Sequence, residues 1–204
     1  MFYNPAIHQD HEKLLEIVSL KNLDISDSTL ESFSSVATKN ESIKNKKYSW
    51  FQYDFSGEVP KIHPIENFEN IEEIKKEFPG TGAWLNFQLD ENIDNIIINH
   101  FKSLVSLVSN LKGFKILQIS SVHDILLSPH TDDYPNTLRC LLTIECPENQ
   151  NTDVFGIEVN GVKMPINQYD IHIFDASNLH SAWNFTKVKW KFIIIDIEKR
   201  FFNL

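Results

Sequence analysis

Cysteine is nearly missing from this chain: Cys140 and Cys146 are the two thiols in 204 residues. On one continuous strand they would share a face yet lie roughly 20 Å apart at about 3.3 Å per residue, far beyond disulfide reach. Leu141-Leu142-Thr143-Ile144 between them does not read as a turn, so both are expected as reduced thiols. Their number excludes a zinc ribbon or a disulfide scaffold. Arginine is as scarce, with Arg139 and Arg200 alone. No apolar run reaches the roughly 18 residues of a spanning helix, so no membrane partner is expected. The start, Met1 to His8, lacks the basic and apolar regions of a signal peptide, and a cytoplasmic location is expected. A net charge of -9 and a pI near 5.3 leave little basic surface to neutralise phosphates, which argues against a nucleic-acid partner. The one basic cluster, Lys44, Lys46 and Lys47, reads as a solvated loop.

What is present supports a core. Hydrophobic residues make up 42% of the chain, enough for one domain over 1–204, with no internal repeat or low-complexity linker. Residues 1–113 read as a helix-rich N-terminal elaboration with at least one strand. Helical apolar spacing runs from His11 to Leu20, and Ser28-Thr29-Leu30-Glu31 has the form of a capping box opening a second helix. Asn67 to Glu77 predicts a third helix stopped by Pro79-Gly80, and Ile93 to Leu111 a fourth stopped by Gly113. Ala83 to Leu89 alternates as a strand. From 114 to 204 short strands follow one another: Lys115–Val122, Ile125–His130, Leu138–Ile144, Val154–Val159, Val162–Ile166, Ile171–Phe174 and Lys189–Ile197. Asn160-Gly161 is a strong type I′ hairpin signal. The fold class is therefore α+β with a mainly β core, a sandwich or jelly-roll-like barrel with the N-terminal helices packed outside.

The chemistry-bearing residues lie in this β-rich part. His130 and Asp132 are two apart, so on a strand both side chains point to one side and can hold one ion. His180 arrives 50 residues later, after the alternating Asp170 to Asp175. Two imidazoles and a carboxylate can cap one face of an octahedral Fe(II), with three positions open. The bland alternative is a surface loop histidine, a turn aspartate and a hydrogen-bonded half-buried ring. Other histidines read structurally: His8 and His11 lack a cysteine or a carboxylate in register, and His172, on the strand leading to His180, is a structural ring or a support to the ligands.

The stretch from Ile125 to Asp196 resembles the aspartyl/asparaginyl β-hydroxylase family of Fe(II)- and 2-oxoglutarate-dependent oxygenases, which includes hydroxylases of free amino acids. The resemblance rests on His130-Thr131-Asp132, on Arg139 nine residues after His130, on Phe174-Asp175 with His180 and Asn184 following, and on Asp196 ending Phe192-Ile193-Ile194-Ile195. It implies a double-stranded β-helix, a cupin-like barrel with its metal inside the mouth. It also implies Fe(II) on His130, Asp132 and His180, and 2-oxoglutarate as co-substrate. Asp132 keeps the carboxylate that related halogenases replace with a small residue, so hydroxylation or another oxidation is expected rather than halogenation.

The chain departs from the family at the co-substrate. An Arg about ten residues after the distal His holds the far carboxylate of 2-oxoglutarate in the family, and here that residue is Trp190, whose indole has one donor and no charge. Protein hydroxylases of the family tend to have a His where Leu141 stands. Three readings follow. Arg139 carries the carboxylate, since Arg139, Leu141 and Thr143 should face the interior. Alternatively Lys189 or Lys191 carries it, which alternation opposes unless a bulge turns them in. In the third, no 2-oxoglutarate binds. Ser120 and Ser121 stand roughly where the family has a 2-oxoglutarate-contacting Ser, and Ser120 is the candidate. Asn184 is a candidate substrate contact; Trp190 reads as that or as core, and Trp183 as core. The expected substrate is an amino acid, free, carrier-bound or in a peptide, or a small natural-product precursor. A 2-oxoglutarate-independent non-haem iron oxidase and a non-catalytic cupin-like binding protein are the alternatives.

Overall fold

In the computed structural model, residues 1–20, 23–30, 32–33, 51–54, 61–64, 83–89, 95–123, 125–148 and 151–204 are described. Among these residues twelve strands are seen: β1 (Phe2–Tyr3), β2 (Phe51–Asp54), β3 (Lys61–Pro64), β4 (Ala83–Gln88), β5 (Phe114–His123), β6 (Ile125–His130), β7 (Thr137–Glu145), β8 (Phe155–Val159), β9 (Val162–Met164), β10 (Ile171–Phe174), β11 (His180–Asn184) and β12 (Trp190–Glu198). A six-stranded sheet has the order β1-β10-β7-β12-β5-β4, a second sheet the order β6-β11-β8-β9, and β2 and β3 form a separate hairpin. Among the described residues, neighbouring strands pair antiparallel throughout. From β5 onward the chain steps from one large sheet to the other and back, with β8 and β9 as the one consecutive pair within a sheet. That alternation is the double-stranded β-helix, and it draws the ends of β6, β7, β11 and β12 together.

The six-stranded sheet is covered on both faces, which explains why Phe192–Ile195 within β12 is apolar without alternation. Along β12, Ile193, Ile195 and Ile197 join the cluster that packs under the helices with Leu14, Ile17 and Leu104. Trp190, Phe192 and Ile194 point the other way and pack between the sheets with Phe155, Ile157 and Phe174. Each such side chain, fully buried, contributes about 1.5–3 kcal/mol. Strand β7 has the same parity: Cys140 and Leu142 lie under the helices, while Leu141 belongs to the inter-sheet cluster.

Among the described residues, helices include α1 (His11–Val18), α2 (Asn95–His100) and α3 (Lys102–Ser109), besides a helical stretch that begins at Asp27. The single helix expected over Ile93–Leu111 is interrupted at Phe101, after a run of β-branched isoleucines and weak helix formers in Asn95–His100. Gly113, at φ +78°, makes the turn into β5, where the sequence places a stop. The expected capping box is shifted: the helical turn already begins at Asp27, so Ser28 lies inside it, and Ser26 Oγ bonds Thr29 Oγ1 at 3.0 Å. Asn160 (φ 49°) and Gly161 (φ 77°) both adopt the positive φ that a type I′ turn needs, and join β8 to β9. Strand β11 is an addition to the expected strands, since His180 opens a strand of its own beside β6 in the other sheet. The helix expected over Asn67–Glu77 and the cluster of Lys44, Lys46 and Lys47 lie outside the described residues. Both thiols are free, and burial raises their pKa, that of Cys146 to about 11.

Candidate metal centre

Strands β6 and β11 pair so that His180 stands directly across from His130, with a register irregularity between His180 and Ala182. The imidazole centroids are 4.2 Å apart. Asp132 follows the end of β6, where its backbone N–H donates to Ala176 O at 2.9 Å and so ties the segment to the chain just before His180. The carboxylate oxygen Oδ1 lies 3.7 Å from Nε2 of His130, whose side chain is 11% exposed. One ligand atom from each of His130, Asp132 and His180 lies within 4.8 Å of the other two. The three residues nominated from the sequence therefore meet at one point.

The groups around them fix which atoms face that point. Nδ1 of His180 lies 2.9 Å from the carbonyl of Asn178; a carbonyl only accepts, so Nδ1 carries the proton and Nε2 is left as the ligand nitrogen. Burial, and then the neighbouring His130, push the His180 pKa down to about 4, against the opposing pull of Asn178 O and Asp132. A neutral ring with a directed lone pair is the form that binds a metal. Arg139 on β7 donates through Nη1 to Oδ2 of Asp132, which leaves Oδ1 of that carboxylate on the histidine side. The same guanidinium grips Asp196 with two further donors, Nε to Oδ1 at 2.9 Å and Nη2 to Oδ2 at 3.0 Å. Although burial opposes its charge, Asp196 and then Asp132 raise the Arg139 pKa above the usual arginine value.

A cavity of about 330 Å³ between the sheets opens onto this cluster, with His130, Asp132, Arg139 and His180 in its wall. Leu141, Ile157, Trp190, Phe192 and Ile194 make much of the remainder. Trp190 is 1% exposed, packs on Phe192 at 4.2 Å between centroids, and donates Nε1–H to Thr143 Oγ1 at 3.3 Å.

The other nominated residues divide. Lys189 and Lys191 are corrected: their ammonium groups lie against Asp27, at 3.1 and 3.0 Å, and Lys191 also against Glu145 at 2.8 Å. A register irregularity does occur between Lys191 and Phe192, but it leaves Lys191 on the face away from Trp190. Asn184 is corrected as well. It is fully buried and its amide is taken up locally, Nδ2 donating to Val122 O and Val188 O while Oδ1 accepts from the backbone and hydroxyl of Thr186. It orders the turn between β11 and β12. Ser120 is buried opposite Phe192, on the same side of β5 as the cavity-lining Gln118 and Val122. His172 packs edge-on against Phe2 and is not part of the cavity wall. Sequence reasoning missed Gln118, Tyr134 and the Arg139–Asp196 pair; the available signal for the last was a lone carboxylate on the inward parity of β12.

Fold and site together define a cupin-type β-barrel with a His-Asp-His cluster suited to a metal ion. The chain belongs to the aspartyl/asparaginyl β-hydroxylase family, whose sequence model matches residues 27–200. It is thus an enzyme of the hydroxylase type. No curated protein is significantly similar to it in sequence. Among solved structures, the plu4264 protein of Photorhabdus luminescens is similar over 58% of this chain and 78% of its own, at 14% identity and a TM-score of 0.38. A double-stranded β-helix domain protein of Klebsiella pneumoniae is similar over 43% and 70%, at 15% identity and a TM-score of 0.34. The polyketide cyclase RemF of Streptomyces resistomycificus is similar over 58% and 68%, at 12% identity and a TM-score of 0.36. No helix among the described residues is long and apolar enough to cross a membrane.

Proposed function

We propose that this protein is an Fe(II)-dependent oxygenase that hydroxylates an amino-acid-type substrate or a small natural-product precursor, with His130, Asp132 and His180 as the iron ligands. The observation that carries the reading is the convergence of the three donors within 4.8 Å. Two imidazoles and one carboxylate are the donor set of non-haem Fe(II) oxygenases. Bound there, Fe(II) would supply the activation of dioxygen that hydroxylation needs.

The protein's own part is positioning and exclusion. The Asn178 carbonyl orients His180, and Arg139 orients Asp132, each by a hydrogen bond to the atom that does not face the cluster. The apolar walls exclude water and hold the target carbon. A cavity of about 330 Å³ matches a substrate the size of an amino acid or small precursor.

The resemblance also brings 2-oxoglutarate, and the residues present suit that molecule poorly. Its distal carboxylate asks for a buried cation. Among the described residues of the cavity wall, Arg139 is the one arginine or lysine, and it is engaged by two carboxylates. This favours a second reading, an iron oxidase that does without 2-oxoglutarate. Anaerobic equilibrium dialysis against Fe(II) tests the shared core of both. The expected result is one iron per chain in the wild type and none in Asp132→Ala. A wild-type protein that takes up no iron contradicts the proposal.

A further inference from the structure

The cavity is electrically divided along its length. Register sets the division: Asp196 pairs with Arg139, Ile194 with Leu141, and Phe192 with Thr143, so residues step away from the charged end in order. On β12 the inward side chains are Asp196, then Ile194, Phe192 and Trp190, the last roughly 20 Å along the strand at about 3.3 Å per residue. On β7 they are Arg139, then Leu141 and Thr143. Among the described residues, every charged group of the wall therefore lies at the metal end.

The charge balance at that end is closed. Asp132 and Asp196 together outweigh Arg139 by one negative charge, and a divalent metal turns this into one positive charge. A single chelating carboxylate neutralises it. A second carboxylate, reaching inward from the metal, would meet Leu141, Ile194 and Phe192 with no cation among the described residues to pair with, and Lys189 and Lys191 are held outside by Asp27 and Glu145. Burying an unpaired carboxylate in such surroundings is costly. The polar pair deeper in the wall, Trp190 Nε1 and Thr143 Oγ1, is already joined to itself.

We propose that the inner part of this cavity receives the uncharged, apolar tail of a 2-oxo monocarboxylic acid, branched-chain or aryl, whose 2-oxo acid head lies at the metal, in place of 2-oxoglutarate. This rests on the metal reading of His130, Asp132 and His180 for the head, and on the apolar wall alone for the tail.

The test is a calorimetric titration with 2-oxoglutarate, 4-methyl-2-oxopentanoate and phenylpyruvate, run anaerobically on the Fe(II)-loaded protein and again on the metal-free protein. Iron content is measured separately by dialysis, so failure of the metal reading shows there. The tail preference is read as a ratio of affinities in either form. The expected result is binding of at least one apolar-tailed acid about tenfold or more tighter than 2-oxoglutarate. Equal or tighter binding of 2-oxoglutarate, or no binding of any of the three in either form, overturns the proposal. In Trp190→Phe, which keeps an apolar wall and removes its N–H, the ratio is expected to stay within about threefold of wild type. A selective loss of 2-oxoglutarate binding in that variant would mean that the indole N–H holds a carboxylate, and would also overturn it.

Discussion

Asp196 stands directly across from Arg139 in the β7–β12 ladder, and both of its carboxylate oxygens accept from the guanidinium, at 2.9 and 3.0 Å. Asp196 is 1% exposed, so the pair is removed from water. A bidentate Arg–carboxylate pair is rigid, and its rigidity passes to Asp132 through the remaining Nη1 bond. Arg139 is in this way a positioning residue for the metal site.

Asp196→Asn removes the charge partner and keeps the shape. Taking one member from a buried pair is expected to cost about 3 kcal/mol or more in unfolding free energy, read by urea denaturation. A loss within about 0.5 kcal/mol would show that the pair contributes no net stability.

His180→Ala is expected to abolish iron uptake while the barrel stays folded. Iron analysis after anaerobic loading, with near-ultraviolet circular dichroism beside it, separates the two effects. A folded variant that still binds one iron per chain would remove His180 from the ligand set.

Much of this site was legible before the fold was known. The ligand types and the HxD spacing nominate His130, Asp132 and His180, and alternation alone sends Lys189 and Lys191 to the face opposite Trp190. The Arg139–Asp196 pair was not legible, because it depends on the register of two strands whose residues are 57 apart in sequence. Strand β11 was missed because His180–Asn184 lacks an apolar alternation; its pairing with β6 and β8 holds it extended. Asn184 misled for a related reason. A buried amide in a motif looks like a ligand contact, whereas here the turn to β12 consumes its hydrogen bonds.

Two glycines give a paired test of the fold. Both Gly113 and Gly161 have positive φ, but a Cβ on Gly113 would fall 2.2 Å from Cδ2 of Phe201, while one on Gly161 would meet open space. Gly161→Ala is expected to cost about 1 kcal/mol from backbone strain alone, and Gly113→Ala about 1 kcal/mol or more beyond that. Thermal denaturation of the two variants checks the order, and equal losses would contradict the Gly113 packing.

Acid should weaken the metal-free protein through its histidines. Burial, the leading cause in each case, lowers the pKa of His8, His172 and His180 below the ordinary 6.5. Nε2 of His8 and Nδ1 of His172 are buried without a hydrogen-bond partner. Below pH 6.5 the unfolded chain thus binds more protons than the folded one, so stability falls as pH drops through that value and is level in these groups well above it. Each full proton difference changes stability by about 1.4 kcal/mol per pH unit, and urea unfolding is expected to show a loss of at least about 1 kcal/mol between about pH 7.5 and 5. Unchanged stability over that interval would mean that these rings protonate freely in the folded state. The depressed carboxylates Asp27 and Asp175 act below 3.8, outside this window.

On the proposed function, His130, Asp132 and His180 form one iron site. Crystals grown anaerobically with Fe(II), with anomalous scattering recorded on both sides of the iron edge, test it most directly. A single iron peak per chain is expected, bonded to a ring nitrogen of His130, Oδ1 of Asp132 and Nε2 of His180. A peak at other residues, or none between these three at full Fe(II) loading, would contradict it.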